Sequence, residues 1–126
     1  MMKSIDIDNV LLFHKKIVDQ TGGSEEIRDL GLIESALNRG YATFDGIDLY
    51  KDVEEKISAI THGLVKNHGF VDGNKRIGVS VMVLLLKLNS IQIKHSPHDL
   101  IELGLNIADG TFSEKDIKAW INNKKL

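Results

Sequence analysis

The sequence predicts an all-α fold, a compact bundle of six or seven helices around one buried central helix. The chain has one proline in 126 residues, and helix caps and stop signals recur along it. The stretch from Ile77 to Leu86 is apolar on every side. A helix of that kind is buried all round, so the central helix is expected over about residues 74–89. The length suits one core, and residues 1–126 are expected to form a single domain.

The flanking helices are predicted from capping residues and stops. Asp6 or Asp8 and Asp29 are candidate N-caps, and Gly22-Gly23 and Gly40 are candidate stops. Ser96-Pro97 and the pair Ser113 and Asp116 begin two further helices. The expected ranges are Asp8–Gln20, Leu30–Asn38, a helix from near Asp52 or Val53, one ending at Ala108 before Gly110, and one ending near Asn123.

The third helix has its apolar residues on one face, from Val53 to Leu64, and His68 would join that face if the helix reached it. Residues Tyr41 to Tyr50 have a mixed pattern and are expected to form a loop or a small hairpin. Ile91 to Lys94 is expected to be a short extended link.

Composition restricts the function classes. The net charge is −2, which argues against direct nucleic-acid binding. There is no cysteine, so disulfides and thiolate metal sites are excluded. The longest apolar stretch, Ile77 to Leu88, is about 12 residues, whereas a membrane span needs roughly 20. With no secretory signal at the N-terminus, a cytoplasmic protein without a membrane partner is expected.

A cluster of polar residues, "HGFVDGNKR" over 68–76, precedes the central helix. The start of a helix presents unpaired N–H groups at the positive end of its dipole and is suited to anions. Gly73 permits close approach of a ligand or a positive φ, and Asn74 can cap the helix or hold a ligand oxygen. Lys75 and Arg76 add two positive charges. The cluster therefore predicts a phosphate-binding site.

Three other residues of the cluster suggest how that site could act. A carboxylate at Asp72 would repel phosphate unless a cation lay between them, and Mg²⁺ suits one carboxylate with phosphate oxygens. His68 is a candidate general base because imidazole titrates near neutral pH. Phe70 is expected to anchor the loop to the core. Each residue alone is typical of an ordinary cap, turn or core, but their convergence indicates a site. The spacing is not that of a Walker A loop.

This stretch resembles the Fic-family signature, H-P-F-x-[DE]-G-N-G-R-x-x-R. The matching residues are His68, Phe70, Asp72, Gly73, Asn74 and Arg76. Lys75 replaces a glycine and Val79 replaces the last arginine, as in the Doc branch with its H-x-F-x-D-x-N-K-R motif. Gly69 replaces the usual proline. "GLIESALNR", Gly31 to Arg39, also resembles Doc proteins, and the likeness extends over nearly the whole chain.

The resemblance implies a Fic/Doc-type fold and a nucleotide-dependent transferase. Fic enzymes typically transfer AMP from ATP to a protein hydroxyl. Doc-type members instead act as kinases and bind the nucleotide in the reverse orientation. Lys75 fills space beside the phosphates, and Val79 in place of arginine removes a ligand of the distal phosphates. Both changes disfavour AMP transfer. Doc proteins are toxins of type II toxin–antitoxin systems. Their target is a threonine of elongation factor Tu, translation is arrested, and the antitoxin Phd neutralises them.

The roles implied for this chain follow the motif. His68 is the general base, Asp72 holds Mg²⁺, and Lys75 and Arg76 act on ATP in catalysis. The phosphates are bound by residues 73–76, namely Gly73, Asn74, Lys75 and Arg76.

Two further expectations come from the family. A flap that aligns the target chain is assigned to Tyr41–Tyr50, with Ile47 and Leu49 as its contacts, although an ordinary surface loop fits equally well. The inhibitory motif [ST]-x-x-x-E-[GN] has no match, since Glu26 of "TGGSEE" stands where Gly or Asn is needed. Restraint is therefore expected from a Phd-like antitoxin in trans.

Three alternatives remain open. The first is AMP transfer at the same site, and the second is a non-catalytic helical module in which "NKR" binds a phosphate backbone. The third is a metal site at His95 and His98, for which no third ligand is evident, so both are expected to be solvated. His14 is expected to have no special role.

Overall fold

The computed structural model describes residues 2–126 and confirms the predicted all-α bundle. Its helices are α1 (Ile7–Thr21), α2 (Leu30–Asn38), α3 (Val53–Lys66), α4 (Asn74–Leu88), α5 (Pro97–Ala108) and α6 (Glu114–Lys124). A 3₁₀ turn, Arg39–Tyr41, follows α2, and a hairpin of β1 (Thr43–Phe44) and β2 (Ile47–Asp48) precedes α3. No helix within residues 2–126 is both long and apolar enough to cross a membrane.

Side chains cap five of the six helices at their N-termini. The capping residues are Asp6 for α1, Asp29 for α2, Asp52 for α3, Ser96 for α5 and Ser113 for α6. Ser96 and Ser113 form capping boxes with Asp99 and Asp116. Because such caps act within one turn of the chain, the predicted helix bounds agree with the observed ones to within about two residues.

The central helix is α4, which packs against α1, α3 and α5. Ile77, Val81 and Leu85 are fully buried on it. A Cβ at Gly78 would lie 2.5 Å from Cγ2 of Val65, so this glycine lets α3 and α4 approach closely. The expectation that α4 is buried on every side is wrong for one stripe, around residues 80, 83 and 84, which is partly exposed. Its residues line surface grooves that α4 forms with α1, α5 and the Ile91–Lys94 link.

The two predicted irregular segments are both short and extended. The hairpin turns at Asp45-Gly46, both with positive φ (54° and 79°), the combination that a two-residue turn requires. The link Ile91–Lys94 pairs with the end of the chain, because the Lys94 N–H donates to the Lys124 carbonyl at 2.8 Å. Buried side chains from all six helices belong to one hydrophobic cluster.

Candidate phosphate-binding site

The backbone turns sharply between α3 and α4. Helix α3 ends at Lys66, and His68 has a left-handed φ of 52°. His68 therefore does not continue the apolar face of α3, because the helix stops before it. Its side chain is exposed, and no described residue forms a hydrogen bond to its imidazole. The ring is therefore accessible to a bound molecule.

The linker between α1 and α2 holds this loop in place. Ile27 and Phe70 form an antiparallel bridge, and the Val71 N–H donates to the Glu26 carbonyl at 3.0 Å. The carbonyl of Gly69 accepts from the N–H groups of both Arg28 (2.8 Å) and Asp29 (2.9 Å). These contacts join residues 40 to 45 positions apart in sequence, and the sequence offers no local signal for them.

Gly69 explains one departure from the family signature. A Cβ at this position would lie 2.4 Å from Cγ1 of Ile33, far inside van der Waals contact. The loop therefore passes so close to α2 that the usual proline would not fit without a shift of Ile33.

Asp72 lies against the same linker. Its Oδ2 accepts a hydrogen bond from the Ser24 N–H at 2.8 Å, and its side chain is exposed beside Gly23. No described cluster of three or more His, Cys, Asp or Glu side chains could hold a metal. A cation here would thus have a single protein carboxylate. That donor set fits Mg²⁺, which commonly takes one or two carboxylates and completes its shell with phosphate and water oxygens.

His14 of α1 has a structural role that the sequence analysis missed, so the expectation of no special role is wrong. It is buried, its Nε2–H donates to the Asp72 carbonyl at 2.7 Å, and its ring stacks on Phe70 at a centroid distance of 3.6 Å. Phe70 itself is 2% exposed. The available signal was the i, i+4 spacing of Val10, His14 and Val18, which places a histidine in the buried stripe of α1.

The N-terminus of α4 differs from those of the other five helices. Its N-cap, Gly73, is left-handed (φ 80°) and provides no side-chain cap. A Cβ there would lie 3.2 Å from Nε2 of His14, so both conformation and space favour glycine. The N–H groups of residues 74, 75 and 76 have no acceptor among residues 2–126. This helix end is available to an anion.

The side chain of Asn74 serves the loop. Its Oδ1 accepts from the Phe70 N–H at 3.1 Å and its Nδ2 donates to the Phe70 carbonyl at 2.9 Å. Of the two roles predicted for Asn74, capping the helix is wrong, because the side chain reaches back to Phe70. Binding of a ligand oxygen is left to its backbone N–H.

Lys75 and Arg76 provide the positive charge. The Arg76 guanidinium donates to the Thr21 hydroxyl, which donates in turn to the Ile17 carbonyl at 2.7 Å. Lys75 is exposed on the side that faces Gly104 of α5. Neither cation forms an ion pair with any residue in 2–126. Their charge is therefore not neutralised within the described chain.

One turn beyond these cations, α4 becomes apolar. Val79, where the family signature has its last arginine, is 7% exposed. It lines a groove of about 320 Å³ between α1, α4 and α5, together with Leu100, Ile101 and Leu105. Lys75 and Arg76 line the same groove, so the two cations border hydrophobic surface where the family signature has a second arginine.

The hairpin lies at the other end of α3. It precedes Val53, whereas His68 follows Lys66, and a 14-residue helix separates its ends by about 20 Å. The structure therefore places Ile47 and Leu49 at the opposite end of α3 from the loop residues. Both side chains are exposed, at 65% and 57%. Lys56 fixes the hairpin base by donating to the Tyr50 carbonyl at 2.6 Å.

The remaining histidines do not join the site. Burial, together with the charges of Arg39 and Lys66, lowers the pKa of His62 on α3. His98 is exposed and pairs with Glu102, as expected for a solvated residue. The same expectation is wrong for His95, which is half-buried with its Nδ1 shielded from solvent, because the residues around the Ile91–Lys94 link enclose it.

Replacing His14 tests its role in holding the loop. We expect His14→Phe, which keeps a ring against Phe70 but loses the bond to Asp72, to lower the free energy of unfolding by about 1–2 kcal/mol. His14→Ala also leaves a cavity and should cost about 2–4 kcal/mol. Denaturant titrations measure both, with Lys15→Ala on the exposed side of α1 as control. Equal stability of all three variants and the parent chain would contradict the role.

Comparison with known proteins agrees with the motif. The sequence model of the Fic/DOC family matches residues 4–86. Toxin Doc of Mycolicibacterium smegmatis is 38% identical over 72 residues, which cover 57% of this chain and 55% of that protein. Protein kinase doc of Escherichia phage P1 is 25% identical over 116 residues, which cover 92% of this chain and 90% of that protein. The family match spans most of the chain and includes the whole polar loop, and the chain belongs to the Fic/DOC family.

Proposed function

We propose that the protein is a toxin that transfers the γ-phosphate of ATP to a Ser or Thr hydroxyl of a target protein. The observation that carries this proposal is the uncapped N-terminus of α4. It presents three N–H groups and two cations that have no hydrogen-bond acceptor or ion-pair partner, respectively, within residues 2–126. An exposed imidazole follows α3 a few residues earlier. Positioning and electrostatic stabilisation account for most of phosphoryl-transfer catalysis.

In the proposed reaction, His68 accepts the proton of the target hydroxyl as its oxygen attacks the γ-phosphorus. The bond from that phosphorus to the β,γ-bridging oxygen breaks, and ADP leaves with the bonding electron pair. The N–H groups at the start of α4, with Lys75 and Arg76, bind the phosphates and stabilise the negative charge during transfer. The bond from Arg76 to Thr21 orders the guanidinium before ATP binds.

Asp72 would hold the Mg²⁺ that accompanies ATP. One of its oxygens is occupied by Ser24, and the other carries no hydrogen bond within residues 2–126. When bound, Mg²⁺ supplies charge neutralisation between phosphate oxygens. The Ser24 contact orients the carboxylate for this purpose.

Kinase activity is favoured over AMP transfer, which is the alternative reaction at this site. The relative from phage P1 is named a protein kinase. Lys75 occupies the position of a family glycine, and buried Val79 replaces an arginine, so the groove beside the two cations is apolar at the position of that second guanidinium. AMP transfer would need the distal phosphates held on that side.

The proposed biological role follows from the relatives and from the loop. One relative is named Toxin Doc, and we propose a cytoplasmic toxin that phosphorylates elongation factor Tu and so inhibits translation. Thr21–Glu26, the nearest approach to the inhibitory motif, is not an inhibitory helix, because α1 ends at Thr21 and residues 22–29 are not helical. A Phd-like antitoxin is therefore proposed to supply inhibition in trans.

A non-catalytic helical module remains the competing class, and one experiment separates the three possibilities. Elongation factor Tu is incubated with the protein, Mg²⁺ and ATP labelled at either the α- or the γ-phosphate. Label from the γ-position alone supports the kinase, and label from the α-position supports AMP transfer. No label from either position on this target contradicts the proposal.

Replacing His68 tests the general base. His68→Ala is expected to lower kcat by about 10²- to 10⁴-fold, because no other described side chain replaces the imidazole. ATP binding, measured by calorimetry, is expected to stay within a few-fold of the parent chain, since the phosphate ligands remain. His98→Ala, an exposed histidine outside the site, is the matched control. Full activity in His68→Ala would exclude the general-base role.

Replacing Ile47 and Leu49 tests the hairpin as a contact for the target protein. Ile47 and Leu49 are exposed apolar side chains, so if they contact the target, we expect Ile47→Asp with Leu49→Asp to raise the KM for the target. The KM for ATP should not change. The exposed leucine Leu126, replaced by Asp, provides a control for added surface charge. Unchanged kinetics would identify the hairpin as an ordinary surface feature.

A further inference from the structure

We propose that Arg28 is a positioning residue for His68, acting on the backbone of the catalytic loop and not on ATP. This inference deepens the proposed function and rests on it for the role of His68. Arg28 lies in the linker between α1 and α2, outside the signature that identifies the site. The motif residues of that signature all belong to the loop and to α4.

The contacts of Arg28 converge on three successive carbonyl groups. Its Nε donates to the His68 carbonyl at 2.7 Å and its terminal Nη2 to the Asn67 carbonyl at 3.3 Å. Its backbone N–H donates to the Gly69 carbonyl at 2.8 Å. Arg28 therefore donates hydrogen bonds to the carbonyl group of the proposed base and to the carbonyl groups of the residues on either side of it. A guanidinium suits this task because its donors are planar and fixed relative to one another.

The backbone at His68 requires such support. A positive φ is uncommon for a residue other than glycine, and it persists only where the surroundings hold it. Helix α3 has ended, so its own hydrogen bonds no longer constrain the chain. Asn67, which precedes His68, is held separately by its side-chain bond to the Leu32 carbonyl at 3.0 Å. Arg28 is the described side chain that bonds to His68 itself.

The direction of the imidazole depends on this backbone. The His68 side chain has no hydrogen bond to a described residue, so its orientation is set by the φ and ψ of the residue that carries it. Loss of the Arg28 side chain would free the His68 carbonyl to rotate, and the ring would move with it. Small displacements of a catalytic group lower kcat strongly without weakening substrate binding.

The test compares Arg28→Ala, Arg28→Lys and Arg39→Ala. Arg28→Ala is expected to lower kcat by about a hundredfold with little change in the KM for ATP. Arg28→Lys, which keeps one donor, should retain an intermediate kcat. Added guanidinium, well below denaturing concentrations, should restore part of the activity of Arg28→Ala. Arg39→Ala removes a guanidinium that pairs with Glu114, away from the loop, and controls for general loss of stability.

Two results would overturn the inference. One is a kcat for Arg28→Ala equal to that of Arg39→Ala. The other is a rise in the KM for ATP at unchanged kcat, which would make Arg28 a nucleotide ligand.

A measurement without ATP keeps the inference separate from the proposed function. In NMR spectra, Arg28→Ala should move the His68 ring signals and speed hydrogen exchange of the Val71 amide, while Arg39→Ala leaves both unchanged. Absence of that difference overturns the inference even if the protein is a kinase. Conversely, a parent chain that transfers no phosphate contradicts the proposed function and leaves this measurement valid.

Discussion

The site depends on the pairing of the α1–α2 linker with the loop before α4. The Gly69 carbonyl accepts two N–H groups from the linker, and Phe70 and Val71 continue the pairing towards Ile27 and Glu26. This short antiparallel contact holds the loop that joins the end of α3 to the start of α4. His68, Asp72 and the free N–H groups of α4 take their positions from it. The buried ring of His14 supports the same loop from the opposite side, through Asp72 and Phe70.

The six helices differ in whether a side chain caps their N-terminus. Five helices satisfy their first N–H groups with their own Asp or Ser side chains, each worth about 1 kcal/mol. The sixth, α4, begins at a left-handed glycine and leaves those groups free. Asn74, a residue type suited to capping, bonds to Phe70 and shapes the loop. Loss of local stabilisation at such a position is expected if the helix start binds a ligand, as proposed above.

Much of the fold could be predicted from the sequence because its signals are local. Caps such as Asp29 and Ser96 lie within a few residues of the groups they satisfy, so the helix bounds followed from short stretches of chain. The contacts of Ser24, Arg28 and His14 with the loop could not be predicted, because they join residues 39 to 58 positions apart. The same limit explains the errors at α4 and His95, since exposure depends on which elements pack nearby.

The most direct test of the account is a crystal structure of the protein with Mg²⁺ and a non-hydrolysable ATP analogue. We expect the γ-phosphate at the N–H groups of residues 74–76, with Asp72 on the metal and the His68 ring facing the phosphate from the side open to the target. The adenine should lie away from His68. An α-phosphate in that position would show the orientation for AMP transfer. A nucleotide bound elsewhere would contradict the assignment of the α4 N-terminus as the phosphate site.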